Sequence, residues 1–383
     1  MIRFSIFFTL LFATSYSNNL SAQDYTKIDA HARSVPPPKN QDIKALAIAL
    51  TEGCKTEKEK ARSFFVWMAE NIHYDVKLLE NTGSVSPAKR HDWQDAEQVL
   101  KREKGLCEGY TNLFNALCQS VGIQSVAVGG VSRNERGTVS GLGHAWNLII
   151  ADGQWGLIDP TWGAGFVDTD NGKYREHLND EFFFANPEKL LEDHYPNDPL
   201  FQCLPTPLSF TEFKSSPQKL AEIMDQKRNE RPAPGFEHFG DTLKALFPFD
   251  STEYLFGAGQ RSLQINPGSN YGSWALGEYY YQQSVQARKA YFQAIKDLKP
   301  VNYYPSPAWF DKQVPTLKNW EAHSAHCLEI LKNASGRDDY SRDVQFLRKM
   351  AQFGLDGSRK EIEDNKRLKR SVLGGVRVQL MSE

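Results

Sequence analysis

The chain has 383 residues, with 45 Lys and Arg against 47 Asp and Glu, 40% hydrophobic residues and 12% aromatic ones. That mixture excludes a disordered tail or a collagen-like repeat, because it holds enough apolar and aromatic surface to bury a core. A formal charge of −2 excludes a general nucleic-acid binder, which needs a basic excess to neutralise phosphates.

At roughly 100–200 residues per domain the length points to two domains. Residues 1–22 have the pattern of a secretory signal peptide: Arg3 is the positive head, Phe4 to Ala13 is an apolar run, and Ser21-Ala22 precedes a plausible cut. The run is too short to stay in a bilayer as a spanning helix. No other stretch would cross a membrane, so an exported protein is expected, periplasmic or extracellular, with no transmembrane segment in the mature chain.

Residues 23–54 are expected to be a linker and a helix, with Val35 to Lys39 (VPPPK) extended as polyproline II. Over residues 40–80, Ile43, Leu46, Ala47 and Leu50, then Phe64, Phe65, Trp67 and Met68, fall at helical spacing. Residues 81–91, rich in Gly, Ser, Pro and Lys, read as a loop. The helical pattern returns over 94–122, and 124–161 switch to short β-branched and aromatic runs that predict strands. Pro187, Pro196, Pro199, Pro205 and Pro207 break up the chain ahead of a boundary near 205–215. Residues 211–383 are expected to be mainly helical. Within them, Trp274 to Pro300 faintly resembles a tetratricopeptide repeat, but a lone repeat cannot bury its own face, so an ordinary helix pair is expected. Arg359 to Arg370 (RKEIEDNKRLKR) reads as a solvated helix face.

The five cysteines, Cys54, Cys107, Cys118, Cys203 and Cys327, are odd in number and widely spaced, neither a disulfide framework nor a CxxC metal site. Cys107 stands apart. In GLCEGYTNLFNALCQSVG (Gly105 to Gly122), Tyr110, Leu113, Phe114, Leu117, Cys118 and Val121 form one apolar helical stripe. Cys107 lies on that stripe in the first turn, where unpaired backbone N–H groups and the positive dipole end favour a thiolate. The same donors suit a tetrahedral oxyanion. Cys118 sits mid-helix and reads as a buried small hydrophobe.

Downstream, GHAWNLIIADGQWGLIDPTW (Gly143 to Trp162) alternates about Asp152-Gly153, a strong hairpin pair. A two-residue turn there sets Ala151 against Gln154, Trp146 against Asp159 and His144 against Thr161. His144 and Asp159 then become diagonal neighbours on one face, about 7–8 Å apart or less at Cβ; a slip of one residue would part them. A helix-terminal thiol followed by such a pair is what a Cys–His–Asp acyl-transfer site requires. Trp146, Trp155 and Trp162 are candidates to wall it. His73 and Asp75 read as a structural turn. His91, His177 and His194 are scattered without metal-ligand spacing, and no metal or cofactor is expected.

The order of Cys-helix, His-strand and Asp-strand, with the wording GLCEGY, GHAWN and GQWGLIDPTWGAG, resembles the transglutaminase-like superfamily, in its secreted bacterial and kyphoscoliosis-peptidase branch. ARSFFVWMAENIHYDV (Ala61 to Val76) and DEFFFANPEKLLEDHYPNDPLFQCL (Asp180 to Leu204) are similar to that branch too. The resemblance covers about residues 55–210. It implies an α+β fold, a papain-related core with helices packed on an antiparallel sheet, to which the mainly helical C-terminal region is added. It implies Cys107 as nucleophile, His144 as general base and acid, and Asp159 as its orienter. Papain relatives use an upstream Gln for the oxyanion and animal transglutaminases an upstream Trp. Gln94, Gln98 and Trp93 are the candidates here, none a convincing match, and the calcium sites of the animal enzymes have no counterpart.

The expected function is an exported cysteine-nucleophile enzyme acting on peptide or protein amides, a cell-wall peptide among them, through a thioester. Peptidase or deamidase activity is favoured over transglutaminase-type cross-linking, because water needs no acceptor pocket. The alternative is a non-catalytic protein- or cell-wall-binding module on the same scaffold, and fold alone does not choose between them.

Overall fold

The computed structural model describes residues 24–81, 86–134, 137–168, 171–246, 252–298, 305–332, 334, 340–378 and 380. The expected signal peptide, residues 1–22, lies outside them.

Two sequence-local devices set the scaffold of the first half. The helix Glu57–Asn71 starts at Thr56, whose side chain accepts from Glu59 N while the Glu59 carboxylate accepts from Thr56 N, a reciprocal cap. Ala61 to Ala69 are buried without interruption, so this helix is wrapped on all sides rather than resting on one face. Even Arg62 is enclosed, held by Asp29 through two bonds and by Asp180. The second device is the end of the helix Cys107–Ser120. Gly122 takes φ +79°, and the N–H groups of Gly122 and Ile123 return to the carbonyls of Gln119 and Cys118. The left-handed glycine therefore stops the helix and turns the chain straight into a strand.

Nine strands are described: β1 (His73–Tyr74), β2 (Lys104–Gly105), β3 (Gln124–Arg133), β4 (Val139–Ala151), β5 (Gln154–Ile158), β6 (Gly165–Asp168), β7 (Lys173–Glu176), β8 (Phe183–Ala185) and β9 (His194–Pro196). The main sheet is antiparallel in the order β8-β5-β4-β3-β9, beside a short parallel β1-β2 pair and a β6-β7 hairpin. Ala151 pairs with Gln154 and Asn147 with Ile158, the register expected from a two-residue Asp152-Gly153 turn. Both turn residues have positive φ, the geometry that matches strand twist. The Asp152 carboxylate also accepts from Glu57 N and Lys58 N, tying the hairpin tip to the long buried helix.

Each face of the sheet has its own cover. Ile149, Ala151 and Ile158 join Phe64, Trp67, Phe114 and Leu117 on the helix side. Trp146, Leu148 and Leu157 join Leu200, Phe201, Leu243, Tyr254 and Ala258 on the other. The later part of the chain thus closes the second face. It is helical, as expected, with Pro217–Arg228, Phe239–Leu246, Thr252–Ile265, Asn270–Lys296, Pro307–Lys332 and Ser341–Leu373 as its principal helices.

Two expectations are corrected. Residues 87–92 of the expected loop are a helix, because Ser86 caps it at Lys89 N and Pro87 stands at its first position, where the missing N–H costs nothing. The expected helix pair at 274–300 is one continuous helix, Asn270–Lys296. It has no proline, and Gly277 gives close access rather than a turn: a Cβ there would stand 2.8 Å from Leu331.

Candidate active site

Cys107 opens its helix behind Leu106, a residue with no capping side chain. The cap comes from outside. The Gln94 carbonyl oxygen Oε1 accepts from Leu106 N at 2.8 Å and Gly109 N at 3.1 Å, bracketing the cysteine. Gln94 is wholly buried, and its Nε2 has no partner. Gly109 permits this approach: a Cβ there would lie 2.6 Å from Gln94 Oε1 and 2.8 Å from Val99. Just upstream, β1-β2 pairing fixes the chain that leads into the cysteine. Of the other two oxyanion candidates, Trp93 lies beneath the Arg102 guanidinium and Gln98 lines a separate surface hollow.

His144 and Asp159 meet. His144 Nε2 is 2.7 Å from Asp159 Oδ2, and both side chains are buried. The second carboxylate oxygen accepts from Thr161 N at 2.8 Å and Trp162 N at 3.0 Å, because Asp159-Pro160 starts a tight turn just beyond β5. Since a carboxylate only accepts, Nε2 of His144 carries the proton and Nδ1 is left for the sulfur. Cys107 acts on the titration of His144 after Asp159 does, so the thiol lies beside the pair; the direct contact is the one between His144 and Asp159.

Electrostatics follow. Burial works against a charged His144, but the Asp159 carboxylate, and after it Cys107, carry its pKa up to about 10. Burial likewise opposes an ionised Asp159, yet His144 and His194 hold it well below the usual carboxylate range. Burial, and then the charges of Cys107 and Asp159, push the Tyr74 phenol up, so it remains a neutral donor beside the site.

A groove of about 1410 Å³ opens on His144, with Tyr74, Trp162, Phe166, Tyr174 and Phe182 among its walls. Trp146 and Trp162 flank the imidazole at ring separations of 5.8 and 5.5 Å. Trp155 does not. It lies at the turn end of the hairpin and packs on Phe239.

The residue that the sequence reading passed over is His194. Far from scattered, its Nε2 stands 2.9 Å from the same Asp159 Oδ2 that His144 uses. No spacing rule would have found it, because β9 reaches the site only by pairing with β3 at the sheet edge. His144, Asp159 and His194 offer ligand atoms within 4.8 Å of one another. The two nitrogen–oxygen separations are nonetheless hydrogen-bond lengths, shorter than the ~3.3 Å expected between two ligands of one tetrahedral zinc. His73, expected at a structural turn, meets Glu176, and Asp75 caps the helix Val76–Glu80 and takes Arg102. The five cysteines are free thiols, Cys118 among the buried ones.

This chain resembles known proteins over part of its length. A family model described as the transglutaminase-like superfamily matches residues 44–160. Kyphoscoliosis peptidase of Homo sapiens is 30% identical over 215 residues, 55% of this chain and 31% of that protein. Its Mus musculus counterpart is 30% identical over 207 residues, 53% of this chain and 30% of that one. Hillarin of Drosophila melanogaster is 24% identical over 214 residues, 51% and 25% of the two chains. The chain therefore spans less than a third of the length of these relatives.

Proposed function

From a chain that belongs, through residues 44–160, to the transglutaminase-like superfamily, we propose a cysteine-nucleophile enzyme that acts on peptide or protein amides through a thioester. The observation that carries this reading is the buried His144–Asp159 pair at 2.7 Å, with Cys107 near enough to raise the ring's pKa.

The steps follow from that geometry. His144 Nδ1 takes the thiol proton, and the Cys107 sulfur adds to the amide carbon. Negative charge collects on the former carbonyl oxygen, where the unpaired N–H groups of the first helical turn and the unpartnered Gln94 Nε2 are the donors at hand. The imidazolium returns its proton to the departing nitrogen as the C–N bond breaks, leaving the acyl group on sulfur. Water then gives its proton to His144 and its oxygen to the acyl carbon, and the sulfur leaves to take the proton back. An amine in place of water gives cross-linking by the same steps. Hydrolysis is favoured because water, unlike an amine substrate, needs no acceptor site of its own. The leader pattern of residues 1–22 assigns the activity to an exported protein; N-terminal sequencing of the secreted chain should start near residue 23, and a start at Met1 would refute it.

Two labelling measurements test the chemistry. Cys54 is the reference thiol, since burial and then Glu59 push it up. Iodoacetamide at pH 6 should label Cys107 at least about tenfold faster than Cys54, and Cys107→Ala should abolish acyl-enzyme capture from a peptide-amide library. Equal labelling of the two thiols, or captured acyl groups on the Ala variant, would remove the proposal.

A further inference from the structure

We propose that His194 is a positioning residue, a second imidazole that holds Asp159 and, through it, sets the ring of His144. The idea rests on the proposed acyl-transfer reading for its purpose, but its geometry stands apart from it.

Asp159 Oδ2 receives two imidazole nitrogens, His144 Nε2 at 2.7 Å and His194 Nε2 at 2.9 Å, while Oδ1 is filled by the N–H groups of Thr161 and Trp162. All four strong acceptor directions of the carboxylate are therefore in use. A buried carboxylate with one imidazole alone could swing its oxygen with that ring. With both oxygens held by other donors it cannot, and the direction of the His144 N–H bond is set by Asp159 rather than the reverse.

His194 is itself immobilised. It has no solvent exposure, and Trp162, Trp146 and Phe182 enclose it at ring separations of 4.5, 5.1 and 5.9 Å. Its Nδ1 is hydrogen-bonded to Asp193 Oδ1. Each nitrogen of the ring therefore meets a carboxylate oxygen, Asp193 Oδ1 on one side and Asp159 Oδ2 on the other. The charged or titratable groups around it are Asp159 and His144 inside and Asp193 at the rim. Arg133 and Glu192 stand beyond, with Arg133 committed to the backbone carbonyls of Glu192, Phe213 and Ser215. Asp193, His194, Asp159 and His144 thus form one hydrogen-bonded chain that runs from the groove wall into the site.

A His194 that merely filled space would not need to share the oxygen that His144 uses. In His194→Ala, the acid limb of the pH profile for Cys107 alkylation should move up by about one unit, with about a tenfold fall in rate at pH 6. His194→Gln, which keeps a donor for Asp159, should recover to within about threefold of the unaltered protein. A folded Ala variant with an unmoved profile would overturn the assignment.

Imidazole nitrogen NMR supplies a readout that needs neither activity nor the Ala variant. In ¹⁵N-histidine-labelled protein, Asp193→Asn, at a side chain one-third exposed, should shift the Nδ1–H of His194 and also the Nε2–H of His144. If only the His194 signal moves, the coupling is absent and the proposal fails. If the two signals move together while Cys107 reacts as an ordinary thiol, the positioning role stands and the enzyme reading falls.

Discussion

The His144–Asp159 contact makes stability depend on pH in both directions. Asp159 is held below its ordinary value, so its contribution is present above about pH 4 and is lost as the pH falls through its lowered folded value. His144 is raised to about 10, so its contribution is full below about pH 6.5 and is lost as the pH climbs through about 10. The melting temperature should therefore have a plateau in mildly acidic solution, with an alkaline decline reaching about pH 10. Asp159→Asn should flatten that alkaline decline and, by breaking a buried pair, cost about 3–5 kcal/mol in urea unfolding. An unchanged alkaline slope by differential scanning calorimetry would show that the pair does not carry it.

Two glycines show how elements, rather than single side chains, set the site. Gly130 on β3 faces Pro196 on β9, and a Cβ there would lie 2.2 Å from Tyr195 O and 2.6 Å from Trp146. Gly130→Ala would force β9 off the sheet edge and carry His194 with it. We expect a loss of about 1–3 kcal/mol together with slower Cys107 alkylation, measured on the same sample. Gly109→Ala acts on the other wall. The crowded Gln94 amide would be displaced from the first turn of the thiol helix, lowering acyl capture more than it lowers the melting temperature. If capture fell only in proportion to the folded fraction, Gln94 would be a cap and nothing more.

Across the whole molecule, the later helices are joined to the sheet by a buried ion pair. Arg261, on the helix Thr252–Ile265, reaches Asp198, just after β9, through bonds of 3.1 and 2.6 Å, and Tyr254 adds its hydroxyl at 3.1 Å. Asp198 is almost wholly buried and lies four residues beyond His194. Arg261→Ala would strand that carboxylate, with an expected cost of about 3–5 kcal/mol. The strand that carries His194 should loosen first, which hydrogen exchange at residues 194–196 would detect. Unaltered protection there would mean that the two parts are joined elsewhere. Among the described residues, no helix is long and apolar enough to cross a membrane.

The features that local rules govern were legible in the residues themselves. Cys107 at a helix start, Gly122 at its end and the Asp152-Gly153 turn all depend on neighbours a few positions away. Since strand alternation has a period of two, fixing that turn also fixed the His144–Asp159 diagonal. The short helix at 87–92 was locally signalled as well, by Ser86-Pro87, but was outweighed by the loop-like composition around it. What no local rule contains is the arrival of Gln94 at the thiol helix and of His194 at Asp159. Gln94 gets there because Gly109 leaves room for its amide, and His194 because Gly130 lets β9 close on β3; both are matters of which surfaces fit once the chain is packed, and packing is decided by all the elements at once.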